Sequence, residues 1–477
     1  MRKRIFFRAD AGPNIGYGHF IRTLALADML KDDFDCTFFT QVPSQYQINE
    51  ISKVCKFEIL PNDETHFELF LNYLSGDEIV VLDNYYFSSE YQTKIKEKGS
   101  ILICIDDMHN KHYVADIVIN HGLTDKKIFD IENYTQLCLG MEWALLRKPF
   151  LESIDYNKKD NRHWLIAFGG SDTYNLTEKF ISIIHNNINI DKIYVVIGDA
   201  YEHIDSLRKF DKIEIKKNLS AEEISIVMSN CEYAILPSSG ICIEALSKGC
   251  KILSGYYVDN QVELNHELSK NNYIYQLGDL NLCNNIDISK VLNYKFNNID
   301  CIYNIRNRYI MLFKNIVLKQ TTRVNNIDFI SYHNINKDKQ YEILNNRNSK
   351  EITQWMENQD VITPGSHFNF VRNLKDSYNK VYWGIYSNNI FIGSANIYFE
   401  TTDIVERGIF VAKDLNGKGY GSKIEKATEL LLTKINIKTI TAKVIKNNIS
   451  SIIFHKKNGY IETNSNEKYI FFEKHIS

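Results

Sequence analysis

Short apolar runs separated by amphipathic stretches dominate the first two thirds of the chain. Ile5-Phe6-Phe7, Thr37-Phe38-Phe39, Ile79–Leu82, Ile101-Leu102-Ile103 and Ile117-Val118-Ile119 predict buried strands, with helices near 64–75 and 89–98 between them. Near-continuous apolar strands alternating with helices predict a parallel sheet covered on both faces. The pattern restarts at Trp164–Phe168 and continues through Ile193–Ile197, Tyr233–Leu236 and Lys251-Ile252-Leu253. A helix is expected at about 175–187, and another near 301–318 closes this half. Residues 319–327 are polar and predict a linker. Beyond them the pattern changes: a strand at Asp328–His333, a polar helix, and two long apolar runs, Val381–Tyr386 and Ile390–Phe399, joined by Ser387-Asn388-Asn389 as a hairpin. A third strand, Ile404–Val411, leads to Asn416–Gly421 and a helix carrying Ile424, Ala427, Leu430 and Leu431. The expected class is α/β: two Rossmann-like units at 1–155 and 156–320, then a domain at 327–477 with a mixed, mainly antiparallel sheet.

At 477 residues with 44% hydrophobic content, two or three such cores are affordable. A formal net charge of −3 argues against a nucleic-acid partner. Nine scattered cysteines with no CxxC pair give neither a zinc site nor a disulfide framework, so no metal is expected and a reducing cytoplasm fits. No apolar stretch is long enough to span a membrane. No oligomeric state follows from the sequence.

Candidate chemistry starts at Ile15-Gly16-Tyr17-Gly18-His19 with Arg22, preceded by Arg8-Ala9-Asp10. The turn from strand into helix places His19 at a helix start, where the dipole disfavours imidazolium and leaves a neutral base. Three strands end in polar residues, Asp83-Asn84, Asp106-Asp107 and Asn120, where open α/β sheets bind ligands. In the second unit Gly169-Gly170-Ser171-Asp172 and Pro237-Ser238-Ser239-Gly240 follow strands and precede helices, so both can offer backbone N–H groups to a pyrophosphate. Glu244 follows on a short helix capped by Gly249. In the last third, Gly417, Lys418, Gly419, Gly421 and Ser422 open a helix as an anion cradle.

These residues carry two resemblances. The glycine–histidine turn, Asp83, Gly169-Gly170, Ser238-Ser239 with Glu244-Ala245-Leu246, and Asn260-Gln261 resemble the UDP-sugar hydrolase family of pseudaminic acid biosynthesis, whose fold is similar to the two-lobed GT-B glycosyltransferases. The resemblance implies that His19 activates water, with Arg8, Asp10, Gly16, Gly18, Arg22 and Asp83 around the sugar. It also implies that Gly169, Gly170, Ser238 and Ser239 hold phosphates, that Glu244 accepts from ribose hydroxyls, and that Asn260 and Gln261 lie beside the diphosphate. Asn416–Gly421, with the strand Ile440–Ile445, Asn447 and Ser450–Tyr460, resembles the GNAT acetyltransferases. That implies acetyl-CoA as co-substrate, Glu406 as base and His455 where relatives carry a tyrosine acid. Asn346-Arg347-Asn348 with Trp355-Met356 is similar to members acting on nucleotide-linked amino sugars. Together these imply a bifunctional enzyme that acetylates a UDP-linked 4-amino sugar and then releases UDP from the product. The alternatives are a GT-B glycosyltransferase fused to an acetyltransferase of different amine specificity, or a sugar-nucleotide-binding regulator.

Overall fold

A computed structural model describes residues 2–12, 16–152 and 159–476, the side chains of 300 and 301 excepted. Ile15 and the boundary expected at 155/156 lie outside the described residues. The chain divides into two compact units. One holds Arg4–Lys31 and Cys36–Ile305; the other holds Arg306 onward with Asp32–Asp35 and the first residues. No helix of the described residues is long and apolar enough to cross a membrane.

The first unit contains two parallel sheets. Seven strands run in the order Lys56–Leu60, Asp35–Gln41, Arg4–Ala9, Ile79–Asp83, Ile101–Ile105, Ile117–Asn120, Gln136–Leu139. Their apolar residues face helices on both sides: Phe6, Val80 and Leu102 share one core with Phe70 and Ile95. The strand order reverses between Arg4–Ala9 and Ile79–Asp83, which pair in parallel with Ala9 opposite Asp83. A crevice opens at the carboxyl ends of strands at such a reversal. Asp10, Asp83 and the start of helix Gly18–Leu30 meet there. Six strands make the second sheet, in the order Ile213–Lys217, Lys192–Ile197, Asp160–Ile166, Cys231–Pro237, Lys251–Tyr256, Ile274–Asp279. Its reversal lies between Asp160–Ile166 and Cys231–Pro237, and the loops 167–172 and 237–240 sit at that point.

The second unit is built on an eight-stranded sheet in the order Thr322–Val324, Ile327–Ser331, Lys380–Ser387, Ile390–Phe399, Ile404–Val411, Thr439–Ile445, Tyr469–His475, Ile461–Ser465. All its pairings are antiparallel except Ile404–Val411 with Thr439–Ile445. That parallel pairing covers only Ile404–Glu406 against Thr439–Thr441, although both strands continue. The sheet therefore forks directly after Glu406. The hairpin expected at 387–389 is present, with Asn388 and Asn389 both at positive φ (50° and 64°), as a tight primed turn requires.

The linker expected at 319–327 is instead part of this unit. Helix Ile305–Lys319 groups with it from Arg306, and Thr322–Val324 pairs with Ile327–Ser331 across a second Asn-Asn turn, Asn325 and Asn326 at φ 49° and 61°. Leu318 and Val324 are buried in the core with Phe329 and Trp383. Trp383 Nε1 donates to the Leu318 carbonyl at 2.9 Å and Asn315 Nδ2 to that of Lys380 at 3.0 Å. These contacts explain why the helix belongs with the sheet that follows it.

Candidate active sites

The first crevice is organised by Asp83. Its carboxylate accepts from Arg22 Nε (2.7 Å) and Nη2 (2.6 Å), from Thr23 Oγ1 (2.8 Å), and meets His19 Nδ1 at 2.7 Å. Burial alone raises a carboxyl, but the Arg22 guanidinium and these hydrogen bonds hold Asp83 well below the usual carboxylate range. An ionised Asp83 can only accept. Arg22 Nη2 also lies 3.0 Å from His19 Nδ1, but it has its own acceptor in Asp83 Oδ1. The proton on the imidazole is therefore assigned to Nδ1, leaving the Nε2 lone pair open. This is the carboxylate–histidine arrangement that orients a general base and stabilises it once protonated.

Asp107 accepts from Arg22 Nη1 (3.0 Å) and Tyr85 OH (3.2 Å), and the Tyr85 ring meets His19 edge-on at 4.5 Å. Asn260 reaches this group from the second sheet, its Nδ2 donating to Tyr85 OH at 3.4 Å. His19, Arg22, Asp83, Tyr85 and Asp107 line a small recess. His121, which follows the strand-end Asn120, joins this charge cluster. Burial, then Arg22, lower its pKa to about 4, so it stays neutral. Asp106 caps its own loop instead, accepting from the N–H groups of Met108 and His109, from Asn120 Nδ2 and from Tyr113 OH. Gly16 and Gly18 are exposed, and a Cβ at either would meet nothing within 4 Å.

Arg8 and Asp10 do not face this recess as substrate ligands. Both are buried and bind each other at 2.5 Å. Asp10 also accepts from Gln41 N–H (2.6 Å), Thr40 Oγ1 (3.1 Å) and Tyr86 OH. Arg8 Nη2 is 3.2 Å from His66 Nδ1. The two opposite charges neutralise each other, and Asp10 anchors the turn by donating its N–H to Asn84 Oδ1.

At the second sheet, Gly169, Gly170 and Gly240 are exposed and a Cβ on any of them would meet open space. Asp172 caps helix Leu176–Ile184 through the N–H groups of Leu176 and Thr177. Ser238, expected on the phosphates, is committed internally. Its hydroxyl lies 2.8 Å from Ser254 Oγ and accepts from Asn265 Nδ2 at 2.9 Å, and its N–H donates to the Gly255 carbonyl. The first turn of helix Gly240–Ser247 provides the unsatisfied donors at this loop. Ser239 precedes it, half-buried. Gln261 is buried and accepts from the Tyr257 N–H (3.1 Å). Both Glu244 oxygens are held by Arg147, at 2.7 Å each. Arg147 is 97 positions away in the chain, so sequence spacing offers no sign of the pair.

In the eight-stranded unit, Gly417 and Gly419 adopt φ of 77° and 82° before helix Tyr420–Thr433. A Cβ on either would stand in open space, and successive N–H groups in this conformation form an anion cradle. Lys418 Nζ donates to the Asp414 carbonyl at 2.9 Å, and Ser422 lies in the first helical turn. Gly421 is a close approach, since its Cβ would stand 3.1 Å from the Phe454 ring. Such a cradle points its N–H groups at open space where a diphosphate-type anion can be held. Glu406 is half-buried at the fork, beside Tyr398 in register, and its charge adds to burial in raising the Tyr382 phenol.

His455 departs from expectation. Its Nδ1 donates to the Ser451 carbonyl at 2.7 Å, while Nε2 is buried without a partner. Burial, with Arg407 nearby, lowers its pKa to about 4. A neutral imidazole with its proton tied to Ser451 has none to give a thiolate, so the acid role is withdrawn. The turn before this helix is capped by Asn448, whose Oδ1 accepts from Ser451 N–H at 3.0 Å, and the neighbouring Asn447 is exposed. Asn346, Arg347 and Asn348 hold loops: Asn346 accepts from the Lys413 N–H, Arg347 donates to the Asn358 and Asp360 carbonyls, and Asn348 pairs with both polar groups of Ile362.

Residues 349–460 match the sequence model of the acetyltransferase (GNAT) family. The chain is 27% identical to MJ1062, an uncharacterized protein of Methanocaldococcus jannaschii, over 96% of this chain and 97% of that one. It is 26% identical to the UDP-2,4-diacetamido-2,4,6-trideoxy-beta-L-altropyranose hydrolase of Campylobacter jejuni, over 57% of this chain and 97% of the hydrolase. Over 26% of this chain and 83% of the relative it is 28% identical to acetyltransferase PseH of the same organism. The chain is thus homologous in part to a UDP-sugar hydrolase, and its C-terminal region is a GNAT domain homologous to PseH.

Proposed function

We propose that this is a bifunctional nucleotide-sugar enzyme of pseudaminic acid-type biosynthesis, with a GT-B-like hydrolase part followed by a GNAT part. The GNAT part acetylates the 4-amine of a UDP-linked 4-amino-4,6-dideoxy sugar. Glu406 takes the amine proton at the fork, and acetyl-CoA supplies the acetyl group from the cradle at Gly417–Ser422. The hydrolase part then acts on the diacetamido product. His19 Nε2 takes a proton from water, which attacks the anomeric carbon, and Asp83 steadies the imidazolium. N–H groups of the loop at 169–171 and of the helix start at Gly240 bind the departing diphosphate.

The observation that carries the hydrolase reading is the 2.7 Å pairing of His19 Nδ1 with an ionised Asp83, which leaves Nε2 open beside a polar recess. Acetylation comes first in this scheme. A free 4-amine is protonated near pH 7, and a pocket shaped for a neutral acetamide disfavours it. The UDP moiety also serves the acetyl transfer as a remote binding handle. The test is to supply the UDP-4-amino sugar with and without acetyl-CoA and to follow UDP. UDP should appear slowly without acetyl-CoA and, after a lag, quickly with it. Equal release in both reactions would overturn the order, and release only when an acceptor sugar is added would favour the glycosyltransferase.

A further inference from the structure

Arg147 lies on the connection between the two parallel sheets, just before the short turn Lys148–Phe150. That turn rests on helix Ala221–Asn230, where Ser225 Oγ donates to the Pro149 carbonyl at 3.3 Å. The guanidinium lies 5.1 Å from the Phe150 ring centre, and its Nε and Nη2 each donate to a different oxygen of Glu244 at 2.7 Å. The Glu244 side chain is 8% exposed and that of Arg147 22%.

A two-pronged contact of this kind fixes the plane of a carboxylate as well as its position. It consumes one lone pair on each oxygen and leaves another on each. It also offsets a negative charge on the helix whose first turn carries the free N–H groups of Gly240 and Ile241. An unpaired carboxylate there would repel a diphosphate.

We propose that Arg147 is the positioning residue for nucleotide recognition: it presents the Glu244 carboxylate, in one fixed plane and with its charge offset, to the two ribose hydroxyls of a nucleoside diphosphate. This rests on the reading of the second sheet as the nucleotide site. The pair forms between the crossover segment and the nucleotide helix, so ribose binding is built into the connection rather than into one strand-end loop.

A brace without such a role would lower stability when removed and leave ribose selectivity alone. Full-length wild type, Arg147→Lys and Arg147→Gln are therefore titrated calorimetrically with UDP and with 2′-deoxy-UDP, with thermal melts as the check on folding. Wild type should favour UDP by about 10–100-fold, the range for hydrogen bonds to a charged group. Both variants should bring that ratio close to one, and both should also bind 2′-deoxy-UDP more weakly than wild type does, because its remaining 3′-hydroxyl loses the same fixed carboxylate. An unchanged ratio in folded variants overturns the inference and leaves the nucleotide site standing. Wild type that binds neither nucleotide removes the site itself, and the inference with it, before any variant is made. In wild type alone, Arg147 should stay protected from phenylglyoxal when UDP is bound. Increased labelling with UDP would mean that the pair breaks to admit ribose, the opposite of the proposed role.

Discussion

His19 depends on Asp83 for which nitrogen carries its proton. Asp83→Asn removes the acceptor that fixes the tautomer and leaves an amide against Arg22. UDP release should fall by about 10²–10⁴-fold with UDP binding retained, measured as kcat against the calorimetric Kd. His455 offers a contrasting test. Its folded pKa, about 4, lies below its ordinary 6.5. Above pH 6.5 both folded and unfolded chains hold it neutral, so its contribution is flat. As pH falls from 6.5 toward 4 the unfolded chain binds the proton first, and stability drops by roughly 1.4 kcal/mol per pH unit, roughly 3 kcal/mol in all. Below about 4 the loss stops. His455→Phe should flatten that slope by one proton's worth in urea melts between pH 4 and 6.5, while acetyl transfer stays within about tenfold of wild type because no acid is lost. His333, also near 4, keeps part of the slope in the variant. At this scale the sequence was legible where a residue's place follows from a strand end or helix start, as for His19 and Asp83. It was silent on Arg147 and His121, whose partners come from elsewhere in the fold, and it misplaced Arg8, Asp10 and Ser238, polar residues that the fold turns inward onto each other.

Among the elements, the glycine cradle ahead of helix Tyr420–Thr433 carries the sharpest expectation. Gly419 sits at φ 82°, where a side chain costs about 1 kcal/mol of backbone strain and occupies the space at the cradle. Gly419→Ala should raise the KM for acetyl-CoA about tenfold, the equivalent of about 1.4 kcal/mol, and leave UDP release from pre-acetylated substrate unchanged. Two Asn-Asn turns show how legibility depends on context. Asn388-Asn389 was readable because long apolar runs flank it. Asn325-Asn326 makes the same turn, but its first strand, Thr322-Arg323-Val324, turns one buried side chain inward and exposes Arg323. An edge strand with one inward residue has no period to detect.

For the whole molecule, the placement of helix Ile305–Lys319 decides where the chain can be cut. A piece beginning at residue 327 lacks Leu318, Val324 and the edge hairpin, and should be insoluble or melt without cooperativity. A piece beginning near residue 299 should melt cooperatively by circular dichroism. Equal behaviour of the two would mean that the helix adds nothing to this core. The longer piece still lacks Asp33, which lies 2.7 Å from the buried Lys314 Nζ, and leaves that ammonium to the Thr402 and Asn436 carbonyls, so the piece should melt lower than the same unit does in the whole chain. That pair, with Arg306 Nη2 donating to Asp32 Oδ2 at 2.7 Å across 274 positions, also sets a schedule for synthesis. A ribosome adding about 5–20 residues per second makes Asp32 and Asp33 some tens of seconds before their partners leave the exit tunnel. Throughout that interval the two carboxylates wait, hydrated and unmatched, and the later-made unit is finished by a segment translated well before it.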